Sequence, residues 1–177
     1  MNTPHPFLRL KIYLVLLAVL AVAGAARVSS ADVLEVGKAR IGQPLVLKFK
    51  AADGREVDLS KMKGKVVLVD FWATWCGACI QELANVKGAY DRLHDKGFEI
   101  VGISFDNKKE ALDYVLKKDK LEWPQYFDSR GWENRIGEKL GIESIPTMWL
   151  IDRKGNLREM DARKGWTDQV EKLLAEQ

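Results

Sequence analysis

Val66-Val67-Leu68-Val69-Asp70-Phe71-Trp72-Ala73-Thr74-Trp75-Cys76-Gly77-Ala78-Cys79 is the stretch on which the fold turns. Its first seven residues form a nearly continuous apolar run of the kind buried on both faces of a sheet. Beyond the cysteines, Leu83, Val86, Tyr90 and Leu93 fall on one helical stripe that ends before Gly97. Cys76 and Cys79 are the only cysteines in the chain, so they belong to no wider disulfide framework. A pair three apart at a strand-to-helix junction is placed to make and break one disulfide reversibly. Loop entropy gives a bridge over four residues only about 2 kcal/mol, so stability is a poor reason to hold it.

Upstream, Leu45, Leu47 and Phe49 alternate with polar or outward positions, Asp53-Gly54 breaks the run, and Val57 and Leu59 resume it. That pattern predicts a β-hairpin. Val33 to Gly42 carries no such periodicity and is expected to be an irregular lead-in. Residues 1–31 have the marks of a secretory leader: Arg9 and Lys11, then 15 uncharged residues from Ile12 to Ala26. Ala23-Gly24-Ala25 and Ser29-Ser30-Ala31 both fit a small-residue cleavage site. Fifteen is below the roughly 20 residues that span a bilayer, so cleavage is favoured and an uncleaved N-terminal anchor is the alternative. The expected organisation is a signal peptide over 1–31, a tether over 32–41 and one domain over 42–177.

The leader holds three of the 28 basic residues and none of the 25 acidic ones, so the remainder carries 25 of each. A chain near neutrality offers nucleic acid no electrostatic footprint. Export would place it in an oxidising compartment, periplasmic or otherwise extracytoplasmic.

Downstream, Phe98 to Phe105 reads as a second buried strand, and Asn107 with Glu110 as a capping pair for a following helix. A short strand is expected over Trp123 to Phe127, then a helix from the recurrence of Trp132, Ile136 and Leu140, stopped by Gly141. Thr147 to Ile151 and Leu157 to Met160 would be paired strands, and Thr167 would cap a last helix carrying Val170, Leu173 and Leu174. Strands alternating with helices predict an α/β fold built on one central sheet.

The run from Val66 to Cys76 resembles a thioredoxin active-site strand and turn, and Ile145-Pro146-Thr147 resembles the cis-proline loop of that fold. The leading segment from Gly42 to Leu59, the Lys63-Gly64-Lys65 step and the long βα segment before the proline are similar to the TlpA-like branch of exported thiol–disulfide oxidoreductases. The resemblance implies a thioredoxin-like fold: a central mixed sheet flanked by helices, an N-terminal β-hairpin, and a βα insertion between the C-x-x-C helix and the cis-Pro strand.

It also implies roles. Cys76, at a helix start whose N–H groups and dipole favour a thiolate, would be the nucleophile, and Cys79 the resolving cysteine. Asp70, a carboxylate on an apolar strand, would be the proton acceptor for Cys79, and Glu82, three residues beyond Cys79, a further proton relay. Trp75, Gly77, Ala78, Ile145 and Pro146 would meet the substrate; Trp72, Trp123, Trp132, Trp149 and Trp166 are read as packing residues. No cofactor beyond the Cys76–Cys79 disulfide is expected, and no metal. A closed zinc site needs four ligands, and His94 lies 15 residues past Cys79, about 22 Å along a straight helix.

Two positions depart from the family pattern: Ala78 and Ala84 stand where prolines are usual, which puts the redox poise in doubt. The expected activity is reduction of disulfides in exported proteins such as apocytochrome c, with electrons from a membrane-embedded thiol donor. The alternatives are a thiol peroxidase, disfavoured because Ala73 stands where a threonine or serine would precede the peroxidatic cysteine, and a non-catalytic binding or metal-delivery module.

Overall fold

A computed structural model of the chain describes residues 34–176; the leader assigned to 1–31 lies outside the described residues. The central element is β4 (Val66–Trp72), buried at all seven positions. It pairs in parallel with β5 (Phe98–Ser104) and antiparallel with β7 (Thr147–Ile151). β6 (Gln125–Tyr126) extends the parallel side and β8 (Leu157–Glu159) the antiparallel side, giving the order β6-β5-β4-β7-β8. Largely apolar runs form the three inner strands β5, β4 and β7, because both of their faces are covered. This is the mixed sheet of the thioredoxin-like fold.

Side chains alternate along a strand, so Val66, Leu68, Asp70 and Trp72 share one face with Phe98, their neighbour in register. Trp166, the first residue of α4 (Trp166–Ala175), stacks on Phe98 with ring centroids 6.4 Å apart. The C-terminal helix therefore begins on the Asp70 face. The opposite face carries Phe71, set edge-on to Trp149 at 5.3 Å. There α3 (Arg135–Leu140) brings Gly137 against the Phe105 ring. Helix α1 (Gly77–Leu93) follows the cysteine turn and buries Cys79, Leu83, Val86, Ala89, Tyr90 and Leu93. The segment between α1 and β7 contains β5, α2 (Lys109–Lys118), β6 and α3, which is the expected insertion.

The expected hairpin is present as β2 (Leu47–Lys50) and β3 (Glu56–Asp58). The lead-in differs from expectation: β1 (Glu35–Val36) pairs with β2 and makes a three-stranded antiparallel sheet. That sheet is tied to the main one at two places. The Ala52 N–H donates to the Gln125 carbonyl at 2.8 Å, and Gly42 and Gln43 exchange backbone bonds with Leu157.

Three helix starts also depart from the sequence expectation. Trp132 is outside α3, in a separate 3₁₀ turn, because Asn134 caps the helix by accepting from the N–H groups of Ile136 and Gly137. Lys108, not Asn107, is the N-cap of α2, and it makes no side-chain cap. Asn107 instead lies against Gly131. Thr167 does not cap α4; Gly165, at φ 73°, precedes Trp166.

Gly102 on β5 is required by close approach. The Gln125 side chain lies directly over its Cα, and Gln125 Oε1 accepts from the buried Trp72 indole at 2.9 Å. Gly102→Ala is expected to destabilise the fold by about 1–3 kcal/mol through overpacking, lowering the urea midpoint with an unchanged m-value. A midpoint equal to the parent chain's would show that Gln125 moves aside at no cost.

Candidate active site

Cys76 and Cys79 are joined, with S–S 2.06 Å and Cα atoms 5.2 Å apart. Cys76 is the N-cap of α1, and its Sγ accepts from the Cys79 N–H at 3.2 Å. An N-cap position aims unpaired N–H groups and the positive end of the helix at the sulfur, which favours a thiolate when the bond is open. Gly77 and Ala78 are exposed, and the space where a side chain on Gly77 would stand is open. Both sulfur-bearing residues are buried, Cys76 8 % and Cys79 4 % exposed.

The turn that presents them is held from behind by groups the sequence did not single out. Asp106, buried just beyond β5, accepts from the Thr74 N–H at 3.1 Å and from the Thr74 hydroxyl at 2.6 Å. The Ser104 hydroxyl donates to the other Asp106 oxygen at 2.8 Å, and Asn134 donates to the Ser104 carbonyl at 2.9 Å. The Trp75 indole donates to the Phe105 carbonyl at 3.1 Å. The signal for Asp106 was available: it is a carboxylate ending an apolar strand, as Asp70 is a carboxylate within one.

Trp75 is 51 % exposed and lies 6.0 Å from Trp132, itself 50 % exposed and edge-on to Phe105. Trp132 is therefore not the core residue its apparent period suggested. Together the two rings give an apolar flank beside the disulfide. Trp72 and Trp149 are buried as expected, and so is Trp123.

Pro146 lies at the same end of the sheet as the cysteines, because Thr147 pairs with Phe71 and β4 runs on into the cysteine turn. The Ile145–Pro146 peptide is cis. Ile145 and Pro146 are half-buried, with Ile145 packed against the core.

Asp70 sits in mid-strand, 4 % exposed, and its Oδ1 has no hydrogen-bond partner. Burial, and then the charge of Glu82, push its carboxyl up to about 7. A group poised near neutrality with an unpaired oxygen can take up and return a proton under physiological conditions. Glu82 is half-buried; its Oε1 accepts from the Trp166 indole at 2.8 Å and its Oε2 from Asn85 at 3.2 Å. Trp166 is thus more than packing, and nothing in its local sequence pointed to this. Among the described residues no group of three or more His, Cys, Asp and Glu side chains gathers to hold a metal. His94 instead contacts Tyr90, ring centroids 4.6 Å apart.

Comparison with known proteins agrees with this geometry. Residues 41–160 match the AhpC/TSA family. The chain is 30% identical over 122 residues to the thiol-disulfide oxidoreductase ResA of Bacillus thuringiensis subsp. konkukian, covering 69% of each protein. It is 26% identical over 136 residues to the sporulation thiol-disulfide oxidoreductase A of Bacillus subtilis, covering 71% of this chain and 80% of that one. Its fold superposes on the thioredoxin domain of a thiol-disulfide oxidoreductase from Bacteroides vulgatus with TM-score 0.65 and 28% identity, over 79% of this chain and 99% of that one.

The raised Asp70 carboxyl has a thermodynamic signature. Between roughly pH 4 and 7 the folded protein keeps a proton that the unfolded chain has lost. This contribution to stability is full at acid pH and falls by up to about 1.4 kcal/mol per pH unit as pH rises to about 7. Asp70→Asn removes it. Urea unfolding of the oxidised protein is expected to show the stability of D70N, relative to the parent chain, climbing from pH 4 to 7 and then levelling. A difference independent of pH would show that Asp70 titrates normally.

Proposed function

We propose a direction and a set of clients for this chain, which belongs to the AhpC/TSA family of thioredoxin-like proteins and is a thiol–disulfide oxidoreductase. It reduces disulfides in exported proteins, apocytochrome c among the candidate clients, and draws its electrons from a membrane-embedded thiol donor. The observation that carries the reducing direction is the pair between the cysteines. Gly77-Ala78 brings no histidine or other cation to stabilise the Cys76 thiolate further. Strong oxidants owe their high potential to an overstabilised reduced form. The uncharged run over 12–26, followed by small residues at 29–31, supports an extracytoplasmic location, with the domain either released from its leader or anchored through it.

The cycle runs as follows. The Cys76 thiolate attacks one sulfur of the client disulfide, forms a Cys76–client mixed disulfide and releases the first client sulfur as a thiolate. Asp70 accepts the proton of the Cys79 thiol. The Cys79 thiolate then attacks Cys76 Sγ, closing the Cys76–Cys79 disulfide and expelling the second client thiolate. Two electrons pass from the dithiol to the client, and a donor dithiol later returns two to the enzyme. Exposed Trp75, the Ile145–Pro146 loop at the same end of the sheet, and exposed Gly77 and Ala78 are the surface assigned to the approaching chain in this reading.

Redox titration in dithiothreitol or glutathione buffers, followed by tryptophan fluorescence, tests both chemistry and direction. A two-electron transition at about −270 mV or lower is expected, whereas one near −120 mV would make the protein an oxidant. Absence of any reversible transition would leave a non-catalytic binding module. In the same cycle Cys79→Ser is expected to accumulate a mixed disulfide with a reducible client, and Cys76→Ser to form none. Trapping through Cys79 instead would reverse the two roles.

A further inference from the structure

The charge of Glu82 acts on Asp70, and the fold treats the two carboxylates differently. Asp70 is fixed by its strand, enclosed, and offered no donor at Oδ1. Glu82 sits on a helix surface with a long side chain that has solvent available to it. Left alone, such a side chain would turn outward, where water and salt reduce its effect on a buried neighbour several-fold. It is not left alone. Trp166, 3 % exposed, reaches across from α4 and donates its indole N–H to Glu82 Oε1 at 2.8 Å. The indole is itself immobilised by its stack on Phe98, which shares a sheet face with Asp70.

We infer that Trp166 is a positioning residue for the disulfide cycle: its indole pins Glu82 in place, so that Glu82 serves as a stationary charge and Asp70 as the group that exchanges the proton. The inference rests on the reading of Asp70 as proton acceptor for Cys79. The surroundings agree with it. Among the described residues neither carboxylate forms an ion pair with a lysine, arginine or histidine. Cys79 on α1 is held in the disulfide, and Trp166 on α4, which donates to Glu82, is uncharged. Among the described residues, Glu82 is the charge that, after burial, pushes the Asp70 carboxyl up. A buried indole N–H also needs an acceptor, so the pair satisfies a structural demand while aiming the charge.

The test follows the Asp70 side-chain carboxyl by carbon NMR across a pH titration of the full oxidised chain. The parent, Trp166→Phe, Glu82→Gln, Glu82→Asp and W166F/E82Q proteins are compared. Phe keeps a ring on Phe98 and removes the donor; Glu82→Asp keeps the charge but is too short to reach the indole, and it serves if W166F does not fold. Both are expected to move the Asp70 midpoint toward acid pH, by about half or more of the shift in E82Q, because coupling depends on where the charge is held. The double variant is expected to match E82Q alone.

W166F and E82D midpoints equal to the parent's, with E82Q shifted, would overturn the clamp and leave the carboxylate pair intact. An unmoved midpoint in E82Q would overturn the inference outright. Disulfide-reduction assays of D70N separate the underlying reading from the clamp. Unchanged turnover and pH profile in D70N would remove Asp70 from the proton step, and with it the role assigned to Trp166, even if the NMR shifts appear.

Discussion

β4 has no solvent-facing side, and the active site is arranged around that fact. Seven consecutive residues are enclosed between β5 and β7 with side chains on both faces. Six of them are apolar, and the seventh is Asp70. Desolvating one carboxylate in such a strand is costly unless it keeps its proton. A strand built this way therefore favours the protonated form of the carboxylate it encloses. The same strand delivers the cysteine turn at its end and sets Pro146 beside that turn through its pairing with β7. Carboxylate, sulfur and cis-proline loop are positioned by one element.

Rigidity behind the turn comes from a second enclosed carboxylate. Asp106 gathers the Thr74 N–H, the Thr74 hydroxyl and the Ser104 hydroxyl, and Asn134 links that cluster to the start of α3. Charge-assisted bonds of this kind are among the stronger ones in a protein. They hold the cysteines from the β5 side, while α1 carries them from the other. α1 is one unbroken helix of 17 residues. With alanine at 78 and 84 it has a backbone donor at both positions where relatives of the TlpA-like branch carry proline.

The parts of the fold legible in the sequence were those written in local periodicity. The doubly buried strands, the stripe of Leu83, Val86, Tyr90 and Leu93, and the Asp53-Gly54 hairpin all emerged as patterned. So did the cysteine pair. What the sequence concealed depends on partners far along the chain. Trp132 kept helical spacing with Ile136 and Leu140, yet Asn134 caps the helix after it and leaves the ring on the surface beside Trp75. Thr167 looked like a cap, but the start of α4 is determined by what Trp166 touches, 68 residues back at Phe98 and 84 back at Glu82. Tertiary contacts of that kind override local capping preference and leave no trace in a short window.

The two attachments of the small N-terminal sheet bear on the order in which the molecule can be assembled. Gly42 and Gln43 bond to Leu157, more than a hundred residues away, and the main sheet's β7 and β8 lie in the same late stretch. Closing so long a loop has an entropic cost that only the finished contacts offset. A chain emerging from its amino end can form α1 and the β2–β3 hairpin early, but β4 has no antiparallel neighbour until β7 arrives. Until the last few dozen residues are free, Cys76 and Cys79 belong to an open chain whose thiols any oxidant can reach. The carboxyl-terminal quarter of the sequence supplies both the antiparallel neighbour of β4 and the cis-proline loop, so the surroundings of the disulfide are assembled only once that stretch has joined the sheet.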